Sequence, residues 1–391
     1  MVEKQINKKI RLLVDCHVLD GKFQGTRTYI QGLYQEMIKH KNIDFYFAAQ
    51  NTDLLARVFG KADNIHYIKL ESSGSIKRLA LEFPKIIKKF DIDYAHFQYI
   101  SPLVKKCKEI VTIHDLLFMD YPQYFPFTYR IKNKLLFERS AIKADILLTV
   151  SEFSKEEIMR HFGIGGDRIS VTPNAVLPIE DSANLPNIYN KVGSEKYILT
   201  VGRIEPRKNF LILLRAFIEL GLNKDGYKLV IIGAADLDYV EYTNYYKSMS
   251  VEEKDAVVMD VATFPELVSF YKHASLFVFP SLAEGFGIPP LEAIEYDCPL
   301  LCSNATAMSE FGLPDKYLFD PNDIDELKTK ICKMLRESKC RIGNDKIRTK
   351  FSWKKSSEVF YEILTQSYRG GGYDIISCDN QAVCHLERRA A

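Results

Sequence analysis

Two carboxylates separated by seven residues, Glu284 and Glu292, bracket a run rich in glycine and proline, EGFGIPPLE over 284–292. An apolar run, Leu276–Pro280, precedes it and reads as a strand, and a helix is expected to open at Pro289 or Pro290, because proline suits the first helical turn. Gly285 and Gly287 let a ligand approach the backbone closely, and the unpaired N–H groups of a helix start attract an anion. The outline is a phosphate pocket. A carboxylate beside a pyrophosphate is repelled by it and is better used to accept hydrogen bonds from sugar hydroxyls. The plainer alternative makes Glu292 a complement to the helix dipole and Glu284 an exposed loop residue.

Three further strand ends carry polar residues. In VGRIEPRKNF (201–210), Arg203 leaves a strand and Lys208 stands at the brink of a helix that Asn209 would help to start. Two fixed cations at a cleft edge neutralise a diphosphate leaving group, arginine as a planar fork and lysine as a point charge. Arg207, the third cation, is assigned to solvent. In EIVTIHDLLF (109–118), His114 and Asp115 end a strand, where the histidine either donates to a sugar hydroxyl or is a structural residue with a backbone partner, and Asp115 orients the loop. Gly25, before a helix in DGKFQGTRTYIQGL (20–33), resembles a phosphate-approach loop, a weak signal when it stands alone. Three Asp-x-Asp tripeptides, at Asp91, Asp236 and Asp323, raise the question of a divalent ion. None follows the glycine loop, and the second and third sit where Asp caps a helix, so no metal is expected.

These residues need a scaffold of strands with helices between them, and the chain provides the pattern twice. Apolar runs at Ile10–Leu19, Asp44–Gln50, Ile65–Leu70, Tyr94–Tyr99, Glu109–His114, Asp145–Val150 and Ile169–Thr172 alternate with amphipathic segments. After a stretch without period, VLPIEDSANLPNIYNKVGSE, a second series follows at Tyr197–Val201, Lys228–Gly233, Ala256–Val261, Leu276–Pro280 and Pro299–Ser303. The expected organisation is α/β: residues 1–175 as one Rossmann-like unit, 176–196 as a linker and 197–368 as a second unit whose last helix is free to return to the first. Residues 369–391 are read as a disordered tail. At 391 residues, two cores are the natural expectation.

Neither a signal peptide nor a membrane span is legible, and the eight cysteines show no regular spacing. A cytoplasmic, reducing location follows, with room for peripheral contact at the inner face of a membrane. Residues 1–180 hold 27 Lys and Arg against 21 Asp and Glu, although the whole chain is only +2. That basic bias fits an anionic acceptor, a membrane surface or simply solvated lysines. The segment 76–90, IKRLALEFPKIIKKF, reads either as a surface-lying helix on lipid or as a core-packing helix with a basic outer face. No concentrated basic stripe points to nucleic acid.

With these motifs in place, the sequence resembles a retaining glycosyltransferase of family 4, a two-domain GT-B fold in which Rossmann-like domains face each other across a cleft. The resemblance runs to about residue 368, on EGFGIPPLE, VGRIEPRKNF and the stretch SEFSKEEIMRHFG to RISVTPNAV. It implies that Arg203 and Lys208 hold a nucleotide diphosphate and that Glu292 binds the ribose. It also implies that Glu284 contacts the transferred sugar, with His114 beside that sugar from the opposite domain. Gly285, Phe286, Gly287 and Ile288 would form the donor loop. Only Gly25 of the first loop matches the family's Gly-x-Gly-Arg-Tyr. The resemblance further implies no cofactor and no metal, retention of anomeric configuration, and a glycan or lipid-linked acceptor. Likeness of EGFGIPPLEA to bacterial surface-polysaccharide mannosyltransferases implies GDP-mannose as donor, with UDP-hexoses next. A nucleotide-sugar epimerase on the same fold and a non-catalytic nucleotide-sugar binding protein are the rival readings.

Overall fold

The computed structural model describes residues 9–21, 25–179, 184–234, 239–337 and 345–370. Asp236 and Asp238, together with the expected tail from 371 onward, lie outside them. Among the described residues the first sheet has seven strands, β1 (Ile10–Asp15), β2 (Ile43–Ala49), β3 (Ile65–Lys69), β4 (Tyr94–Gln98), β5 (Lys108–Thr112), β6 (Ile146–Thr149) and β7 (Ile169–Val171). The second has six: β8 (Tyr197–Val201), β9 (Lys228–Ile232), β10 (Val257–Asp260), β11 (Leu276–Phe279), β12 (Leu300–Ser303) and β13 (Leu318–Phe319). Every pairing is parallel, as expected of apolar strands buried on both faces.

Strand order is 3-2-1-4-5-6-7 in one sheet and 10-9-8-11-12-13 in the other. The order reverses between β1 and β4 and again between β8 and β11. A crevice opens beyond the carboxyl ends of the strands at such a reversal, and ligands of open α/β sheets bind there. Both motifs of the second domain leave these strands: the Arg203–Lys208 run follows β8, and the Glu284 loop follows its neighbour β11. Parallel pairing therefore brings together residues 76 positions apart.

The first strand is shorter than its apolar run predicts. Asp15 is buried at its end, and its carboxylate accepts from the backbone N–H of His17 and contacts the His17 ring at 2.8 Å, curling the chain into a 3-10 turn, His17–Leu19. Among the helices, α1 (Gly25–Met37), α2 (Phe127–Lys143) and α3 (Glu152–Phe162) belong to the first half of the chain. In the second half lie α4 (Phe210–Glu219), α5 (Phe264–His273), α6 (Ile288–Glu295) and α7 (Trp353–Tyr368).

Segment 75–90 is continuous helix, with a π turn at Arg78–Glu82 directly before the α-helical stretch Phe83–Phe90, in which Pro84, with no N–H to donate, takes the second position. Helix α7 crosses back to the first domain and lies on α1. The Tyr94 hydroxyl donates to Ser367 Oγ at 2.8 Å and Lys108 Nζ to the Ser367 carbonyl at 2.9 Å. Gly32 of α1 leaves the space that Trp353 fills; a Cβ there would lie 2.0 Å from the indole.

Candidate active site

Lys208 is placed by the 3-10 turn Pro206–Lys208 that follows β8. Gly202, at φ +146°, lets the lysine stem cross the strand end, with its Cε 3.5 Å from where a Cβ would stand. Asn209 does not cap α4: it is left-handed at φ 55° and its amide donates to the Pro321 carbonyl at 2.7 Å, pinning the turn.

Lys208 Nζ reaches Glu284 Oε1 at 2.5 Å, and Ser281 Oγ donates to the same oxygen at 2.6 Å. Arg207 Nη1 takes the other oxygen of Glu284 at 2.8 Å and also donates to the Ala283 carbonyl, while Nη2 pairs with Glu205. The expectation that Arg207 faces solvent is therefore corrected: it is a largely buried cation of the cluster, whereas Arg203 is exposed. Sequence order alone cannot tell which arginine of a tight turn points inward.

The charges of this cluster fix one another. Burial alone would raise the Glu284 carboxyl, but Arg207 and Lys208 outweigh it and hold the group at about 2. Burial pulls Lys208 below its ordinary value, with Glu284 opposing. Burial acts in the same sense on Arg207, but the Glu284 and Glu205 carboxylates outweigh it and keep the guanidinium charged. Glu284 is thus a carboxylate, not an acid, and both oxygens are engaged.

Its backbone N–H donates to Thr306 Oγ1 at 2.9 Å. Thr306 is itself held in the left-handed region, at φ 51°, a conformation that a β-branched residue adopts only where its surroundings enforce it. The expected exposed-loop reading of Glu284 does not hold, since the residue is buried.

Glu292 differs. Helix α6 begins at Ile288 rather than at a proline, so Glu292 falls in the second turn and does not complement the helix start. It is buried and its Oε2 accepts from the Tyr271 hydroxyl of α5 at 2.8 Å. Burial pushes its pKa up to about 7, only partly opposed by that bond. The early start of α6 also puts Pro289 and Pro290 at its second and third positions, which removes two N–H groups from the supposed anion site. An anion in this pocket would therefore be met mainly by the cationic side chains.

Gly285 makes the joint between the domains. Its carbonyl accepts from Ser151 Oγ at 2.6 Å and Ser154 Oγ at 3.1 Å, both at the start of α3. A Cβ on Gly285 would meet Asp115 Cβ at 2.6 Å and the His114 carbonyl at 2.8 Å, so only glycine allows this approach. Gly287 takes φ +96°, and the Ile288 side chain comes within 3.6 Å of a Cβ position on Gly25 from the first domain. Phe286 turns its ring into a cluster with Phe311 and Phe351, so its side chain packs the core.

On the first-domain wall, His114 follows β5 and is buried. Its Nε2 lies 2.6 Å from Gln98 Oε1, which fixes the ring proton on Nε2 and leaves Nδ1 as an acceptor. Burial holds its pKa down at about 3, so the ring is neutral. With its Nε2 proton engaged by Gln98, the ring has an acceptor nitrogen, Nδ1, left over rather than a donor. Gln98 continues to His96 at 3.2 Å, and His96 to Thr112 Oγ1 at 2.8 Å and the Tyr34 hydroxyl at 2.7 Å. Asp115 does orient its loop, accepting from the Leu117 N–H at 3.2 Å and, more loosely, from the Tyr99 hydroxyl at 3.4 Å. Gln98, His96, Ser281, Thr306 and Tyr271 had no motif to mark them; only their places at strand ends or on neighbouring elements could have found them.

Of the Asp-x-Asp pairs, the two among the described residues are otherwise engaged. Arg11 pairs with Asp91 and Asp93, and Asp323 caps the helix starting at Ile324. Among the described residues, Asp120, Glu157 and His161 cluster at metal-ligand spacing, but Arg160 bridges the two carboxylates at 2.7 and 2.6 Å.

Two all-parallel α/β domains, with this cationic cluster at a strand-order reversal, have the architecture of the GT-B fold. Residues 23–178 match the family model described as Glycosyltransferase Family 4, and residues 181–350 the one described as Glycosyl transferases group 1. The chain belongs to the family 4 type of GT-B glycosyltransferases and is a glycosyltransferase. It is 28% identical over 327 residues to O-antigen chain mannosyltransferase B of Escherichia coli, an alignment covering 77% of this chain and 83% of that one. It is 30% identical over 234 residues to O-antigen chain mannosyltransferase RfbU of Salmonella typhimurium, covering 57% of this chain and 59% of that one. Sucrose-phosphate synthase of Thermosynechococcus elongatus shares the fold, at TM-score 0.69 and 16% identity, with 93% of this chain and all of that one covered.

Proposed function

We propose that the protein transfers mannose from GDP-mannose to a glycan or lipid-linked acceptor in polysaccharide synthesis, with retention of configuration and without a metal. The observation that carries the reading is the buried Lys208–Glu284–Arg207 cluster at the β8/β11 reversal, which holds two cations where a diphosphate would lie. The relatives' mannosyltransferase activity supports the sugar. Lys208 and Arg207 stabilise the departing diphosphate, a role in which fixed charges in a dry site are most effective. Lys208 transfers part of its interaction from Glu284 to the phosphate as donor binds, and Glu284 turns toward sugar hydroxyls. Because Glu284 is saturated by cations, it is a poor covalent nucleophile, which fits a transfer in which the donor phosphate itself takes the acceptor's proton. Arg203, exposed at the cleft edge, adds charge for the incoming nucleotide, and Glu292 receives the ribose.

Thermal shift with GDP, UDP and their sugars tests the donor, since a ligand of the native state stabilises it by mass action. GDP and GDP-mannose should raise the melting temperature more than UDP compounds, with and without EDTA. A response to uridine nucleotides only, or one abolished by EDTA, would overturn the corresponding part of the proposal. Proton NMR of the product's anomeric signal decides retention. The protein is expected in the cytoplasm; no helix of the described residues is long and apolar enough to cross a membrane.

A further inference from the structure

Helix α2 carries two apolar faces. Its inner face, with Phe137, Ser140 and Ala141, is buried in the first domain. At helical spacing on the opposite side, Phe127, Ile131, Leu135 and Ile142 are 68%, 50%, 63% and 44% exposed. A helix on the surface of a soluble domain normally turns polar residues to that side. The loop before β5 extends the patch: Leu103 and Val104 are exposed, and Arg139 Nη2 holds the Leu103 carbonyl at 2.7 Å while Lys105 Nζ holds the Lys143 carbonyl at 3.1 Å. Six of the fourteen large exposed apolar residues among those described thus belong to this stripe and the loop beside the helix.

Its charge decides between occupants. Helix α2 contains Arg130, Lys132, Lys134, Arg139 and Lys143 against a single acid, Glu138. Lys132 and Lys134 flank the apolar stripe and are exposed, as is Lys143 at the helix end. Two copies of such a face would repel, whereas apolar side chains among lysines match an anionic lipid surface, the first entering the acyl boundary and the second meeting headgroups.

The helix is also joined to the cleft, through its inner face. Phe137 stacks on Tyr99 with centroids 4.7 Å apart, and Tyr99 lies 5.2 Å from the His114 ring. We infer that α2 and the 103–106 loop dock the protein onto an anionic membrane, setting the acceptor wall of the cleft against the bilayer. The role of this docking in transfer rests on the lipid-linked acceptor proposed above, but the docking itself does not. The 75–90 segment, although basic, buries Phe83 and Ile87 and spends Arg78 on an internal pair with Asp15, and it is assigned to packing.

The test is co-sedimentation of the full chain with vesicles of phosphatidylcholine alone and with about 30% phosphatidylglycerol added, at low and high salt. Binding is expected only with phosphatidylglycerol, weakening with salt. The double variant Ile131→Glu/Leu135→Glu should lose roughly tenfold or more in partitioning, because both the apolar contact and the charge balance are removed. Its nucleotide-induced thermal shift should match the parent's. Lys132→Glu/Lys134→Glu, which leaves the apolar stripe intact, provides the same reading should the first variant fold poorly. Lys85→Glu/Lys88→Glu should partition like the parent. The inference is overturned if the parent ignores anionic vesicles, if both α2 variants bind as the parent does, or if sedimentation equilibrium shows a dimer that the α2 variants dissociate without any vesicle binding. Vesicle binding without any preference for a lipid-linked over a free glycan acceptor leaves docking standing and removes the lipid-linked part of the proposed function.

Discussion

The two walls of the cleft solve opposite electrostatic problems. The second-domain wall concentrates formal charge in a buried place: Arg207, Lys208 and Glu284 neutralise one another at 2.8 and 2.5 Å. The first-domain wall concentrates uncharged polarity: His114, Gln98 and His96 form a buried relay, and burial first of all depresses both imidazoles to about 3. Under the proposed function, an arriving diphosphate would bring charge that only the charged wall can match. An acceptor hydroxyl needs orientation, which neutral donors and acceptors provide without competing for the donor's phosphates. Paired charges stay poised for exchange, and unpaired imidazoles stay neutral, because each is buried.

Breaking the charged wall should have the largest effect. Lys208→Ala is expected to lower turnover by roughly a hundredfold or more, the scale of losing one preorganised electrostatic group. Unchanged turnover in a folded variant would remove lysine from the donor assignment. Glu284→Ala comes next: it frees both cations for phosphate, so GDP affinity measured by calorimetry should hold or tighten while turnover falls by about tenfold or more.

Glu292 sharpens the contrast because it is a carboxyl left without a cation. The fold raises its pKa from 4.5 to about 7, so the native state binds the extra proton between those values and nucleotide-free stability falls as pH rises through that window. Glu292→Gln should stabilise the empty protein above pH 7 by up to about 3 kcal/mol and match the parent below pH 4.5. If ribose requires the carboxylate, nucleotide affinity of the parent should rise by about tenfold between about pH 6 and 8, and the variant should be flat. A parallel pH response in parent and variant would place the ribose elsewhere.

The smallest effect is expected on the neutral wall. Gln98→Leu releases the His114 proton from its fixed nitrogen, raising acceptor KM a few-fold with donor binding unchanged. Gln98→Glu, by offering a carboxylate to the imidazole, should shift the pH profile as well. No change in either variant would make the relay purely structural.

Much of this was readable from sequence because parallel strands buried on both faces appear as apolar runs. Eleven strands fall within a residue or two of the expected runs, and a twelfth, β1, ends four residues early at Asp15. The two-residue β13, Leu318–Phe319, was too short to leave a pattern. Motif residues were legible through local chemistry: glycines, prolines and cations after a strand. Partners were not. Tyr271 stands 21 residues before Glu292 on another helix, Thr306 stands 22 after Glu284, and nothing near Gln98 in sequence announces a histidine across the sheet. Direction was equally hidden: Arg207, assigned to solvent, turns into the cluster, and Arg203 is the exposed arginine.

The return of α7 has a consequence for how the chain is made. Trp353 lies in the space over Gly32 and 6.2 Å from Tyr29, Ser356 Oγ holds the Pro173 carbonyl at 2.7 Å, and Tyr361 stacks on His40 at 3.7 Å. The first domain thus leaves the ribosome with an apolar seam on α1 uncovered, and synthesis of the whole second domain passes before the residues that close it emerge. Ordinarily the earlier domain is finished first. Here the last helix sets the moment at which the first domain is complete, so a nascent chain stalled or cut near residue 340 would present chaperones with a sticky, half-closed N-terminal half beside a folded partner.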